Sequence, residues 1–144
     1  MKQRQKLENI IIGTLLDIAD HYDECKSCIT PDMFLDERNR RIYEMVTEMR
    51  SEGLDHTDPH SICKRYGEKV TDLIPYMCNV CADFSFEWQK ARYNERVYLS
   101  NLITGGYMQP TGVEFGDYVN QFLKIVLEDE KTADDRFKTA NPAA

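Results

Sequence analysis

The stretch that decides the fold is TPDMFLDERNRRIYEMVTEM, which runs from Thr30 to Met49. Thr30 and Asp36 are residues that favour the start of a helix, because their side chains can accept hydrogen bonds from free backbone N–H groups. Beyond Asp36, apolar residues recur every three or four positions, at Ile42, Val46 and Met49. The stretch therefore predicts one short capped turn followed by one amphipathic helix.

The same signals recur along the rest of the chain. The segment from Leu7 to Ile18 carries an apolar stripe wide enough to be buried on most of its circumference. Asp58-Pro59 predicts another helix start, a further helix is expected from about Thr71 to Cys81, and Ser85 is expected to cap a longer one. No convincing strand or repeat is present. We therefore expect an all-α fold, with a compact helical head of five or six helices followed by a short C-terminal helical hairpin.

Helix-breaking residues and charge suggest where the head, the return helix and the tail begin and end. Gly105 and Gly106 interrupt the apolar pattern, and Pro110-Thr111-Gly112 predicts a turn. We expect residues 1–104 to form the head and residues 105–130 to form the return helix of the hairpin within the same domain. Residues 131–144 are expected to be a flexible acidic tail.

Composition narrows the class of protein. The chain has 144 residues, a hydrophobic fraction of 42% and a formal net charge of -7. That charge argues against tight nucleic-acid binding, although basic residues do gather locally. No apolar run is long enough to cross a membrane, and the N-terminal IIIGTLL lacks the cleavage site of a signal peptide. We expect a cytoplasmic protein whose five cysteines are reduced.

The cysteines allow one alternative. Cys25-x-x-Cys28 and Cys78-x-x-Cys81 have the spacing of paired zinc ligands, so a small zinc-stabilised regulatory protein is conceivable. Both pairs lie within apolar stripes, where a thiol packs as a small hydrophobe. Core packing is the favoured interpretation, with no metal and no cofactor, and the zinc site remains the alternative.

Motifs for catalysis are missing from the 144 residues. No phosphate-binding loop, nucleophile elbow or zinc-protease motif occurs. The loop Asp55–His60 contains aspartates and histidines, but Asp58 is expected to cap a helix and the histidines to be solvated. We therefore expect no catalytic residues, no ATP hydrolysis and only weak, salt-sensitive binding to DNA.

Three arginines stand together in the opening stretch, at Arg38, Arg40 and Arg41. On a helix, Arg38 and Arg41 lie on roughly one face. The favoured interpretation for these two is a solvated face whose charges pair with Glu37, Glu44 and Glu48.

The stretch also resembles a family motif. The N-terminal domain of DnaB-type replicative helicases carries the pattern P-E-D-F-Y-D-x-x-H-R-x-I-F-E-A-I, and residues 31–46 are similar to it, with Asn39 at the histidine position. Upstream, Ile12-Gly13-Thr14-Leu15-Leu16 is similar to the family's L-G-x-L-L. Downstream, Gly53 and Asp58–Ile62 resemble G-x-x-x-D-x-x-T-V, and Tyr76-Met77 falls where the family has Y-L.

The resemblance covers about the first 104 residues, and it implies structural roles for the motif. Phe34 would anchor the capped turn, Asp36 and Asp58 would cap helices, and Arg40 would be half-buried and hold backbone carbonyls or a carboxylate. The motif residues predicted to be structural are Gly13, Phe34, Asp36, Arg40, Ile42 and Asp58. The resemblance further implies a non-enzymatic module that oligomerises and docks primase, a helicase or its loader in DNA replication.

A second apolar stripe lies near the C-terminus. Its members are Phe115, Tyr118, Val119, Phe122 and Val126. Such a stripe is too apolar to leave in water, and a two-helix hairpin has no core of its own. We expect it to bury itself against a second copy, giving a homodimer or higher oligomer. The competing arrangement folds this helix back onto the head of the same chain.

Overall fold

The structure is a computed structural model that describes residues 2–85 and 114–140. Within these two stretches the α-helices are α1 (Gln3–Asp17), α2 (Glu37–Ser51), α3 (Pro59–Tyr66), α4 (Ile74–Phe84) and α5 (Phe115–Ala140). Short 3-10 helices span Ala19–Glu24, Pro31–Met33 and Gly67–Leu73. These two stretches contain no strand, which confirms the all-α fold. The helix predicted after Ser85, and the boundary near residue 105, lie outside the described residues.

Helix α1 is the central element of the head. All ten residues from Leu7 to Leu16 are buried, because α2, α4 and α5 all pack against it. This burial agrees with the wide apolar stripe of the sequence. A helix that is buried on all sides also places its polar residues inside the protein, where they need hydrogen-bond partners.

The crossing of α1 and α4 depends on Gly13. A Cβ atom built at Gly13 would lie 2.5 Å from the carbonyl oxygen of Val80 and 3.1 Å from the Cβ of Phe84. The first neighbour is backbone, so it cannot rotate away. Gly13 therefore lets the two helices approach more closely than any side chain would permit.

Helix α2 begins and ends as the sequence predicts. The Asp36 side chain accepts a hydrogen bond from the backbone N–H of Arg38 at 2.9 Å, and it caps the first turn. At the other end, Gly53 has a φ of 80°, in the left-handed region that glycine adopts most easily.

The turn before α2 is anchored by Phe34. This residue is fully buried, and its ring centroid lies 5.0 Å from that of Tyr43 on α2 and 5.4 Å from that of Phe122 on α5. The Tyr43 hydroxyl donates to the Ile29 carbonyl at 2.8 Å. Phe34 therefore joins the turn to two helices at once.

The helix expected from about Thr71 to Cys81 begins later and is preceded by a 3-10 segment. Gly67, with a φ of 63°, starts the 3-10 helix that leads into α4 at Ile74. Pro75 then falls in the first turn of α4, where its missing N–H breaks no helical hydrogen bond.

Helix α5 folds back along α1 in the antiparallel direction. Phe115, at the start of α5, lies near the end of α1, because its ring centroid is 4.8 Å from that of His21. Asp129, further along α5, accepts a hydrogen bond from Arg4 near the start of α1. The helix also continues to Ala140, so residues 131–140 are helical where a flexible tail was expected. No glycine or proline occurs between Gly116 and Pro142, and a helix that has already formed extends readily through such a segment.

Candidate interaction surface

A cluster of polar side chains joins α1, α2 and α4, and we call Glu8, Asn9, Asn39 and Tyr76 the polar cluster. The Asn39 amide donates to Glu8 Oε1 at 3.3 Å and to Asn9 Oδ1 at 3.0 Å. The Tyr76 hydroxyl donates to Asn39 Oδ1 at 2.5 Å. Burial raises the pKa of Tyr76 to about 12, so the hydroxyl keeps its proton at neutral pH. Three helices are thus held together by hydrogen bonds inside the head.

The polar cluster also holds the turn before α2, and we call residues 31–36 the Phe34 turn. The Glu8 carboxylate, which is fully buried, accepts from the backbone N–H of Leu35 at 3.0 Å and of Asp36 at 3.3 Å. Two arginines bind its carbonyls: Arg4 donates to Met33 O at 2.7 Å, and Arg40 donates to Phe34 O at 3.1 Å. Side chains therefore fix the backbone of four consecutive residues in this turn.

On the outer side of the cluster, Asp36 and Arg38 form a two-point ion pair. Arg38 donates to the two carboxylate oxygens of Asp36 at 3.1 and 2.8 Å. The Arg38 guanidinium also lies 3.9 Å from the centroid of the Tyr76 ring. These hydrogen bonds hold the pKa of Asp36 below its ordinary value, against the opposing effect of partial burial.

Two apolar side chains next to these contacts face solvent. Leu35 is 65% exposed and Ile74 is 36% exposed. Leu35 directly precedes Asp36, and Arg38, which binds the Asp36 carboxylate, lies over the Tyr76 ring. We call Leu35, Arg38 and Tyr76 the Leu35 patch. A single exposed leucine is common on protein surfaces, but this one stands on a turn whose backbone is fixed by side chains of the head.

The arginines of the opening stretch are all engaged. Arg38 pairs with Asp36, Arg40 is half-buried on the Phe34 carbonyl, and Arg41 pairs with Asp72 at 2.7 Å. The sequence predicted pairing with Glu37, Glu44 and Glu48, which is wrong for the partners of Arg38 and Arg41. Neighbouring segments of the folded head supply those carboxylates. The charges of Arg38 and Arg41 are each paired with a carboxylate, which weakens the attraction of these two arginines for phosphates.

The cysteine pairs are not brought together as a metal site. Cys25 is buried, Cys28 and Cys81 are partly buried, and Cys78 is exposed. Within residues 2–85 and 114–140, no group of three or more histidine, cysteine, aspartate and glutamate side chains could hold a metal ion. The four-cysteine zinc alternative is therefore wrong. Burial raises the pKa of the Cys25 thiol and raises that of Cys81 to about 11, as expected for cysteines that pack as hydrophobes.

The loop Asp55–His60 does not form a catalytic site in the structure. Asp58 stands at the N-cap position of α3 and accepts from the Ser61 hydroxyl at 2.5 Å. Asp55 and His56 line an open hollow of about 380 Å³ whose other walls include Met49, Leu54, Ser61, Lys64 and Arg65. Arg65 is paired with Glu48 and Glu52 at 2.9 and 2.7 Å, so it is not free to bind a substrate there.

The C-terminal apolar stripe is largely covered within the chain. Phe115, Val119, Phe122 and Val126 are each at most 3% exposed, and Tyr118 packs partly buried at the edge of the core. The fold-back arrangement therefore holds, because α5 lies along α1 and buries the stripe there. The expectation that this stripe provides the self-association surface is wrong for the four buried residues.

The sequence that builds this helical head matches a known protein family. The family model described as DnaB-like helicase N terminal domain matches residues 1–85, more than half of the chain. The chain belongs to the DnaB-like helicase N-terminal domain family. The match spans α1 to α4 and the polar cluster, whereas α5 lies outside it. No curated protein and no solved structure gives a significant match.

The family motif is used to hold the head together. Gly13 allows the α1–α4 crossing, Phe34 and Ile42 are fully buried, and Asp36 caps α2. Arg40 makes the backbone-carbonyl contact expected of it, and Asp58 stands at the start of α3. Within the described stretches, no helix is long and apolar enough to cross a membrane. These motif side chains of the DnaB-like domain are therefore architectural.

Sequence reasoning missed the polar cluster of this DnaB-like head. None of the sequence motifs includes Glu8, yet Glu8 lies four positions before Ile12 on the same stripe as Leu16. That helical spacing was the signal that Glu8 is buried. Its partners could not be read in the same way, because Asn39 and Tyr76 reach it only through tertiary packing.

Proposed function

We propose that the chain is a non-enzymatic protein–protein interaction module of DNA replication, which acts in the cytoplasm. It self-associates, and it docks primase, a replicative helicase or the helicase loader. The observation that carries the proposal is the family match over residues 1–85. The architectural use of the motif supports it, since the motif side chains are committed to hydrogen bonds and packing within the head.

We propose the Leu35 patch as the contact surface for the partner. Leu35 is 65% exposed on a turn whose backbone groups are held by Glu8, Arg4 and Arg40. A turn whose backbone is already fixed loses little conformational entropy on binding, which favours affinity. The neighbouring Arg38–Asp36 pair supplies a polar rim of both signs.

Self-association in this proposal uses surfaces other than the buried stripe of α5. The side chains of Glu128 to Ala133 are exposed, so this part of α5 is accessible. Light scattering of the purified chain at increasing concentration measures this directly. We expect a dimer or larger species, and a monomer at every concentration would refute self-association.

Binding to purified primase, replicative helicase and helicase loader tests the docking proposal. We expect at least one of the three to bind the wild-type chain, and the Leu35→Asp variant to bind at least about tenfold more weakly, because a charge replaces an apolar anchor. Leu127→Asp is the matched control, since Leu127 is also 65% exposed and lies outside the family match.

Three outcomes would contradict the proposal. The first is that none of the partners binds. The second is that Leu35→Asp and Leu127→Asp weaken binding equally, which removes the Leu35 patch as the contact surface. The third is that the pure protein turns over ATP, which contradicts a non-enzymatic role.

A further inference from the structure

The Phe34 turn is held from two sides. From one side, the Phe34 ring stacks on Phe122 of α5, with an interplanar angle of 26°. From the other, Glu8 accepts the backbone N–H groups of Leu35 and Asp36. The turn therefore lies between α5 and the polar cluster, in contact with both.

Arg4 connects these two sides. Its two terminal nitrogens donate in different directions, one to Asp129 of α5 at 2.6 Å and the other to the Met33 carbonyl at 2.7 Å. Its Nε lies 4.0 Å from the carboxylate of Glu8, and it is buried with no hydrogen-bond partner. One guanidinium group thus binds α5 and the Phe34 turn and also lies near the Glu8 carboxylate.

We propose that the docking of α5 on the head and the conformation of the Phe34 turn are coupled, so that release of α5 loosens the turn and with it Leu35. Release would uncover one side of the Phe34 ring and remove Asp129 from Arg4. Arg4 would then keep one hydrogen bond, to the Met33 carbonyl, beside the Glu8 carboxylate at 4.0 Å. The coupling is reciprocal, so a partner that binds and orders the turn would strengthen the docking of α5.

This coupling goes beyond the proposed function, because it does not depend on which molecule binds Leu35. Within the proposed function, it makes α5 a regulator of the Leu35 patch. A protein that bound α5 and released it from the head would weaken the binding of a partner to the Leu35 patch, although the two surfaces are built from different segments. The coupling can be tested without any partner.

Hydrogen exchange of single backbone amides in the full chain provides the test. The acceptor of the Leu35 amide is Glu8 on α1, so its exchange reports on the turn and not on a direct bond to α5. The variant combines Val126→Ala with Asp129→Asn, which removes packing and one ion pair from α5. Leu127→Ala is the matched control, because Leu127 is exposed on the same helix.

We expect the amides of Leu35 and Asp36 to exchange about tenfold faster in the double variant, because local opening becomes easier. Amides of α3, such as Cys63 and Lys64, should keep their rates, and the control should change neither set. The proposal is overturned if the α5 amides exchange faster while the amides of Leu35 and Asp36 keep their exchange rates. It is also overturned if exchange becomes faster by the same factor in the Phe34 turn and in α3, which would indicate that the whole protein is destabilised.

The reciprocal measurement weakens the turn from its other side. Glu8→Gln removes the charged acceptor of the Leu35 and Asp36 amides, and it lies on α1 rather than α5. We expect the α5 amides from Phe122 to Val126 to exchange faster than those of α3. An effect of equal size on both helices would contradict the coupling.

Discussion

Helix α1 is held by two neighbours in different ways. Against α4, it is held at backbone contact, where Gly13 leaves no room for a Cβ atom beneath the Val80 carbonyl. Against α5, it is held by side chains, chiefly the stripe from Phe115 to Val126 and the Arg4–Asp129 pair. The first contact lies within the family match and the second partly outside it. The difference indicates that residues 2–85 form a tightly specified head, onto which α5 is docked.

The two contacts place different demands on the sequence. A backbone crossing and a buried polar cluster each require one particular residue type, because a wrong atom clashes or leaves a polar group without a partner. An apolar stripe tolerates exchanges among residues of similar size. A substitution in the head should therefore cost more than a comparable one in α5.

The largest effect is expected at Gly13. Gly13→Ala places a methyl group 2.5 Å from a backbone oxygen, so α1 and α4 must move apart. We expect the free energy of unfolding to fall by about 3 kcal/mol, the upper part of the range for overpacked cores. Urea denaturation followed by circular dichroism measures the change.

Gly116→Ala on α5 is the matched control for that substitution. Its added methyl group would meet only the Glu24 carboxylate at 3.3 Å, which can swing aside. Alanine also favours a helix over glycine, so we expect a small gain in stability, about 0.5 kcal/mol. Equal losses for the two variants would remove the distinction between the head and the docked helix.

The next largest effect is expected in the polar cluster. Asn39→Ala removes the acceptor of the partly buried Tyr76 hydroxyl and a donor to the fully buried Glu8 carboxylate. We expect a loss of about 2 kcal/mol in unfolding free energy. Asn79→Ala is the control, because Asn79 is exposed on α4, and it should be nearly neutral. A neutral Asn39→Ala would mean that the cluster does not stabilise the head.

The sequence predicts some regions of this structure better than others. The caps of α2, the break at Gly53 and the burial of α1 follow from local spacing, and they were predicted correctly. The packing of α5 was predicted wrongly as a contact with a second copy, because the apolar stripe by itself suits a second copy or the same chain equally well. The polar cluster escaped notice, since its members lie far apart in sequence and meet only after the apolar faces have packed.

The smallest effect is expected at the helix cap. Asp36→Ala removes a hydrogen bond to the Arg38 N–H and an ion pair, and we expect a loss of about 1 kcal/mol at neutral pH. The hydrogen bonds from Arg38 hold the pKa of Asp36 below its ordinary value of 3.8. The charged form therefore stabilises the fold above that value, and its contribution disappears as the pH falls through the lower folded-state pKa.

Urea titrations of wild type and Asp36→Ala at several pH values measure this dependence. The difference between the two proteins should shrink in acid. Asp55→Ala is the control, since the Asp55 side chain is 88% exposed. A difference that stays constant down to the lowest pH would show that the charge of Asp36 does not contribute.

Native-state hydrogen exchange of the wild-type chain, followed at increasing denaturant, tests the central distinction most directly. If the head is tightly specified and α5 is docked onto it, amides from Phe122 to Val126 should open with a lower free energy than those from Ile11 to Leu15. The Leu35 and Asp36 amides should open together with α5. A single opening free energy shared by α1 and α5 would contradict the account, because the two regions would then unfold as one unit.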